Sequence, residues 1–328
     1  MLIIIFDGKT AINAMDEGID LCIHTVIPAL FPFFLLSGII NNCLIGQKTR
    51  LLRFFEKICS IPVGSGSLLA VGFLAGYPVG AQLAAQAYQN GTLSKNTVRR
   101  MLGFCSNAGP SFLFGMLSPL FDDPKIPWVL WGIHIISALI VGWVLPGEFS
   151  SQCHLSAAKP ISMSKALRKA IENIVMVCGW ILIFRVILSF CNRWFLWLFP
   201  VEIQVLFSGI LELSNGCVLL KNIPVSGTRF LLAEIMLSFG GLCVMMQTAS
   251  VTQKIGLGYY FPGKILQTLL SACLCCLTQG HLFSQENTYA VPIPALLFLI
   301  FVTSSVLYFL RRKKVVAFGK KVLYNRVI

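Results

Sequence analysis

Leu74-Ala75-Gly76-Tyr77-Pro78-Val79-Gly80-Ala81 stands in the middle of a long apolar run, Ile61–Gln89. About 20 apolar residues suffice to cross about 30 Å of hydrocarbon as a helix. A proline flanked by glycines at the centre of such a run interrupts that helix. A second run, Trp194–Leu220, is interrupted in the same way by Glu212-Leu213-Ser214-Asn215-Gly216. Each interruption has two readings. It is a kink in a single span, or it is the tip of a helical hairpin that returns to the face it came from.

Seven further apolar segments surround these two: Ile19–Cys43, Val98–Phe121, Trp128–Leu145, Ile171–Phe190, Phe230–Ser250, Ile265–Leu282 and Ile293–Leu310. Helix is the expected form, because lipid offers no partner to an unpaired backbone group. No alternating ten-residue segments of the β-barrel kind are visible.

Charge orients the segments. Arg311, Arg312, Lys313, Lys314, Lys320, Lys321 and Arg326 place the C-terminal tail in the cytoplasm by the positive-inside rule. Counting back, the stretch with Lys254 and Lys264 falls inside. If Trp194–Leu220 is a hairpin, the basic loop with Lys159, Lys165, Arg168 and Lys169 also falls inside. If Ile61–Gln89 is a hairpin, Lys48–Lys57 and Lys95–Arg100 do so as well, and Asp122-Asp123 and the Asp16, Glu17, Asp20 group lie outside. Charge and helix breakers therefore agree on hairpins.

Composition gives the same class. The 328 residues are 56% hydrophobic and 12% charged, with a mean hydropathy of +0.79. Soluble domains carry about 25% charged residues. The net charge of +13 is spread between apolar spans, where Lys and Arg set topology and meet anionic head groups. Nucleic acid is not the expected partner; the lipid bilayer and a small solute are. Of the twelve cysteines, Cys22, Cys178, Cys243, Cys273, Cys275 and Cys276 sit inside apolar runs, so they read as small apolar residues and no metal site is expected. No GxSxG, HExxH or Walker spacing occurs, so no enzyme and no cofactor is expected.

The order of events repeats. A long apolar helix with an acidic start (Glu17, Glu172) is followed by an interrupted hairpin. Next comes a span with a small polar cluster, Ser106-Asn107-Ala108-Gly109-Pro110-Ser111 or Ser238-Phe239-Gly240-Gly241 with Gln247, and then one closing span. Three spans plus one re-entrant hairpin invert the second copy. The expected fold is an all-α polytopic membrane protein. It has a first repeat over residues 1–147 (hairpin 61–89), a basic cytoplasmic linker 148–169, and a second repeat over 170–282 (hairpin 194–220). An extra span with a basic tail follows over 283–328. Inverted repeats with matching broken helices mark secondary transporters.

The blocks Leu74–Ala81, Gly91-Thr92-Leu93-Ser94 and Phe104-Cys105-Ser106-Asn107-Ala108-Gly109-Pro110-Ser111-Phe112 resemble the sporulation integral membrane protein family YlbJ, also called SpoVV. Val26–Phe34, Glu212–Gly216 and Ser238–Leu242 fit the same pattern, and the likeness runs from about residue 10 to about residue 282. The resemblance implies a member of the nucleoside-recognition "gate" group. It further implies a carrier of dipicolinic acid across the outer forespore membrane. Two alternatives stand beside it: transport of nucleosides or another small solute, and a sporulation membrane scaffold that moves nothing. Homo-oligomers or sporulation membrane partners fit any of these.

Candidate site residues follow from the breaks. Tyr77, Pro78 and Gly80 form the first tip. Asn107, Gly109, Pro110 and Ser111 break a span and expose helix-end amides. Glu212, Ser214, Asn215 and Gly216 form the second tip. A carboxylate at that depth is costly unless it works or is paired. Glu212 either binds a proton or cation coupled to transport (protons or sodium), or pairs with Arg185. Arg185 itself either meets an anionic solute or pairs with Glu212 or Glu234. Gln247 is a hydrogen-bonding candidate. His24 and His134 read as interhelical hydrogen-bonding residues, with a proton relay as the alternative.

Overall fold

A computed structural model describes residues 7–44, 47, 49–146 and 162–283. The expected last span Ile293–Leu310 and the basic tail lie outside the described residues, as does most of the linker. Among the described residues every regular element is helical.

The first half opens with α1 (Gly8–Leu21) and α2 (Ile27–Leu44), joined by a π-turn at Cys22–Val26. Pro28 lacks the N–H that would bond His24, so the ladder widens just upstream. The short α3 (Arg50–Cys59) follows, capped by the Thr49 hydroxyl. Next are α4 (Gly66–Ala75), α5 (Val79–Gln89) and α6 (Lys95–Met101), the last capped by Ser94. A non-helical stretch leads to α7 (Pro110–Leu120), and α8 (Ile126–Val144) closes the half. The second half runs through α9 (Met163–Trp194), α10 (Val201–Leu211), α11 (Leu213–Leu219), α12 (Ser226–Phe239), α13 (Gly241–Val251) and α14 (Tyr260–Leu282). Ser162 caps α9, so Lys165, Arg168 and Lys169, read as linker, already ride on its first turns.

Five helical stretches are long and apolar enough to span a bilayer: Gly8–Ile40, Ile126–Val144, Met163–Trp194, Ser226–Val251 and Tyr260–Leu282. The surface agrees. Trp128, Trp143, Val175 and Met176 are exposed, whereas Asn107, His134, Glu234 and Gln267 are completely buried. Polar groups inside and large apolar groups outside suit lipid and not water. The chain is an integral membrane protein.

The long helices α1–α2 and α9 run antiparallel. Asp7 meets Arg193, Gly18 meets Leu182, and Gly38 faces Ala166. At α4–α5 the chain doubles back. Gly72 and Gly80 lie against each other, although eight residues of continuous helix would hold them about 12 Å apart. Gly209 and Gly216 make the same close approach across the break between α10 and α11. Without a hydrophobic force between helices in lipid, such small-residue crossings carry the packing. The Gly72–Gly80 crossing seats the Cys105 carbonyl, and the Gly209–Gly216 crossing seats the Met236 side chain.

Two corrections to the sequence reading concern basic residues. Arg100, expected in a cytoplasmic loop, is buried. Its guanidinium donates to the carbonyls of Cys59 (2.6 Å), Ser60 (3.1 Å), Gly142 (2.6 Å) and Leu145 (3.1 Å). These are the C-terminal ends of α3 and α8, where free carbonyls and the helix dipole favour a cation. Lys264, expected in the loop between spans, is inside α14 and 1% exposed. The ten described cysteines are free thiols.

Candidate functional site

Four helix breaks converge. The first is the turn Gly76-Tyr77-Pro78, where Gly76 has φ of +78° and the Tyr77–Pro78 peptide is cis. The second is the unwound stretch 102–109, which ends as Pro110 starts α7. The third is Glu212, in extended conformation between α10 and α11. The fourth is Gly240-Gly241, with φ of +81° and +79° between α12 and α13. Two successive left-handed residues cannot be accommodated in a helix, and only glycine adopts them without penalty.

Within each half the turn rests on the following break. A Cβ on Gly109 would lie 2.9 Å from the Gly76 nitrogen, and a Cβ on Gly241 would lie 3.4 Å from the Leu213 nitrogen. Between halves the Tyr77 hydroxyl donates to the Leu237 carbonyl, and its ring lies against Gly240.

A cavity opens where these pieces meet. Tyr77, Gly109, Ser111, Glu212, Ser214 and Gln247 line it, with Phe34 and Phe112 among the apolar wall. Counted as space open to the centre of a water molecule, its volume is about 40 Å³. One water needs about 10–15 Å³ on that measure. The cavity has room for a few waters.

The other candidates fall nearby with different tasks. Pro78 borders a second small cavity, with Gln82 and Trp180, that shares Val177 and Gln247 with the first. Gly80 and Gly216 make the helix crossings described above. Asn107 is fully buried behind the cavity: its amide donates to the Phe104 carbonyl at 2.7 Å, and its oxygen accepts from Gln267 at 2.9 Å and Lys264 at 3.3 Å.

Glu212 caps α11. Its Oε1 accepts from the Ser214 amide at 3.0 Å, and its Oε2 accepts from the Asn215 backbone and side-chain amides, each at 2.8 Å. Arg185 does not pair with Glu212 or Glu234. It pairs with Glu17 on α1 and donates to the Asn215 oxygen at 2.8 Å. Arg185 thus reaches Glu212 only through Asn215. His24 sits at an exposed position beside Asp20, at 3.4 Å, whereas His134 is buried and bonded across the two halves.

A polar chain behind the cavity went unread as a unit. Lys264, Gln267 and Ser271 share one face of α14 and meet Asn107, His134, Glu234 and Ser238. The steps of three and four residues along α14 were the available signal.

The chain is 24% identical over 328 residues to the sporulation integral membrane protein YlbJ of Bacillus subtilis (strain 168), covering 86% of this chain and 80% of that protein. The chain is similar to YlbJ over most of its length. The resemblance to the YlbJ family read from the sequence blocks therefore holds. Four of those blocks are brought together by the fold: the Tyr77 turn, the stretch from Asn107 to Ser111, the Glu212 turn and the Gly240 break. No family model matches the chain, and no solved structure matches it.

Proposed function

We propose that this protein is a secondary carrier that moves a small solute across a bacterial membrane during sporulation. The solute we favour is dipicolinic acid, crossing the outer forespore membrane. The observation that carries the reading is the meeting of four helix breaks, two from each half, beside one small cavity that the Tyr77, Gly109 and Glu212 breaks line. Broken helices at matching positions of two repeats are how carriers place free backbone groups around a solute.

The reading includes two inverted repeats with re-entrant hairpins at α4–α5 and α10–α11. The antiparallel pairing of α1–α2 with α9 supports it, because those helices open the two halves. The glycine crossings support the hairpins. The ends of the bundle support the orientation. Arg99 and Arg100 gather with Cys59, Leu145 and Tyr259 at one end, which becomes the cytoplasmic side. Arg229, Leu120 and Ile223 gather at the other, next to Asp122 and Asp123. In operation the cavity enlarges as one helix group rocks against the other and opens to alternate faces.

One observation favours a second reading, a nucleoside or similar neutral solute. The cavity wall carries the Glu212 carboxylate and no Lys or Arg, which suits a neutral ring with hydrogen-bonding groups better than a bare dianion. Flux of labelled dipicolinate into proteoliposomes, with labelled uridine alongside, separates the readings. Saturable dipicolinate flux that is lost in Asn107→Leu and Glu212→Ala is the expected result. Uridine flux alone selects the second reading. No flux of either from folded protein contradicts both and leaves a membrane scaffold.

A further inference from the structure

Two carboxylates lie buried near the helix breaks, and their surroundings differ. Glu212 has both oxygens engaged by donors of its own turn. Glu234, on α12, is completely buried, and only Oε1 is engaged, by the Ser238 hydroxyl at 2.8 Å and His134 Nδ1 at 3.2 Å. Its Oε2 has no partner. A buried acceptor left open costs about 1–3 kcal/mol, more when charged, and a proton on that oxygen is one way to relieve the cost.

The histidine is held in one form. His134 Nε2 accepts the Ala108 backbone N–H at 3.1 Å. A backbone amide only donates, so Nε2 is bare and the ring proton sits on Nδ1, facing Glu234. His134 thus ties the unwound stretch of the first half to Glu234 in the second. Beyond it, Lys264 Nζ donates to Gln267 Oε1 at 2.9 Å and Asn107 Oδ1 at 3.3 Å, and lies 5.3 Å from the centre of the Tyr77 ring. Among the described residues no carboxylate forms an ion pair with Lys264. The cation and the Glu234 carboxylate offset each other through a buried relay of neutral groups, with Tyr77 between Lys264 and the cavity it lines.

We propose that Glu234 is a proton-binding site coupled to an anionic solute in the cavity, a role the sequence pointed toward Glu212. The inference rests on the carrier reading. The proton adds to Oε2 of Glu234 and leaves from the same atom; no other bond is made or broken. With Glu234 neutral, the charge of Lys264 is no longer offset, and the region behind Tyr77 becomes net positive. An anion in the cavity is then held more tightly. By linkage the anion raises the proton affinity of Glu234 by the same factor. This supplies the positive charge that the cavity wall itself lacks. The titratable groups facing Glu234 are His134 of α8, Lys264 and Cys275 of α14, and Tyr77 of the first turn.

Infrared difference spectroscopy on reconstituted protein with isotope-labelled glutamate tests the site directly. Stepping the pH from alkaline to acid is expected to bring up a protonated carboxyl band. That band is lost in Glu234→Gln and kept in Glu212→Gln. Should Glu234→Gln not fold, Glu234→Asp is expected to move the band out of the glutamate label. Saturating dipicolinate is expected to shift the titration to higher pH by a coupling factor of about 5- to 150-fold. A titration that Glu234 substitutions leave untouched, or that dipicolinate leaves unmoved, overturns the proposal. Protein whose Glu234 titration is moved by dipicolinate, but which carries neither dipicolinate nor uridine in flux assays, contradicts the carrier reading and leaves the proton site standing.

Discussion

Gly216→Ala and Gly80→Ala are expected to abolish the folded protein or to destabilise it strongly. A Cβ on Gly216 would sit 2.5 Å from the Gly209 nitrogen and 2.9 Å from Met236 Sδ. A Cβ on Gly80 would sit 2.9 Å from the Cys105 carbonyl carbon, and nearer still to its oxygen. The obstacles are mainly backbone, so no rotamer change relieves them. Overpacking costs about 1–3 kcal/mol where side chains can yield, and more where they cannot. The two helix crossings would have to part, and each lies beside a break that lines the cavity. Gly132→Ala and Gly179→Ala are the controls: nothing lies within 4 Å of either added methyl. In those helices alanine gains up to about 1 kcal/mol over glycine. Thermal unfolding in detergent, followed by size-exclusion chromatography, reads all four. Normal melting of Gly216→Ala would mean that α10 and α11 do not cross as described.

Arg100→Met is expected to cost about 3–5 kcal/mol, the scale of breaking a buried charged network. Arg100 has no carboxylate partner among the described residues; it is held by four carbonyls. Removing the guanidinium leaves those acceptors without donors in a dry site, at about 1–3 kcal/mol each before relaxation. Arg100→Lys is expected to recover only part of the loss. An ammonium is a compact point donor and cannot span the ends of two helices as the planar fork does. A melting temperature for Arg100→Met within a degree of wild type would contradict this assignment.

The apolar runs and their breaks were legible because lipid imposes both. A span must be long and apolar, and a glycine or proline in its middle has few structural excuses. The Tyr77 and Glu212 turns and the Gly109-Pro110 start of α7 were visible on that ground, whereas Gly240-Gly241 was read only as part of a small polar cluster. What the sequence withheld was which charges are inside. Arg100 and Lys264 stand at the edges of apolar runs, where a snorkelling surface residue looks the same as a buried one. The partner of Arg185 was also hidden. Glu17 lies 168 residues away and meets it only because α1 and α9 run antiparallel. Glu234 was seen as a possible ion-pair partner. Its open oxygen and its bond to His134 depend on α8 and α12 being neighbours, which no local pattern encodes.

The account rests on the two halves lying inverted in the bilayer around one site. Single cysteines at Lys165, on the first turn of α9, and at Asn222, after α11, test this most directly. They are placed in a chain whose native cysteines are replaced, and labelled in intact cells and in inverted vesicles with a membrane-impermeant thiol reagent. The inverted arrangement predicts Lys165→Cys labelled from the cytoplasmic face and Asn222→Cys only from the opposite face. Labelling of both from the same face would contradict it.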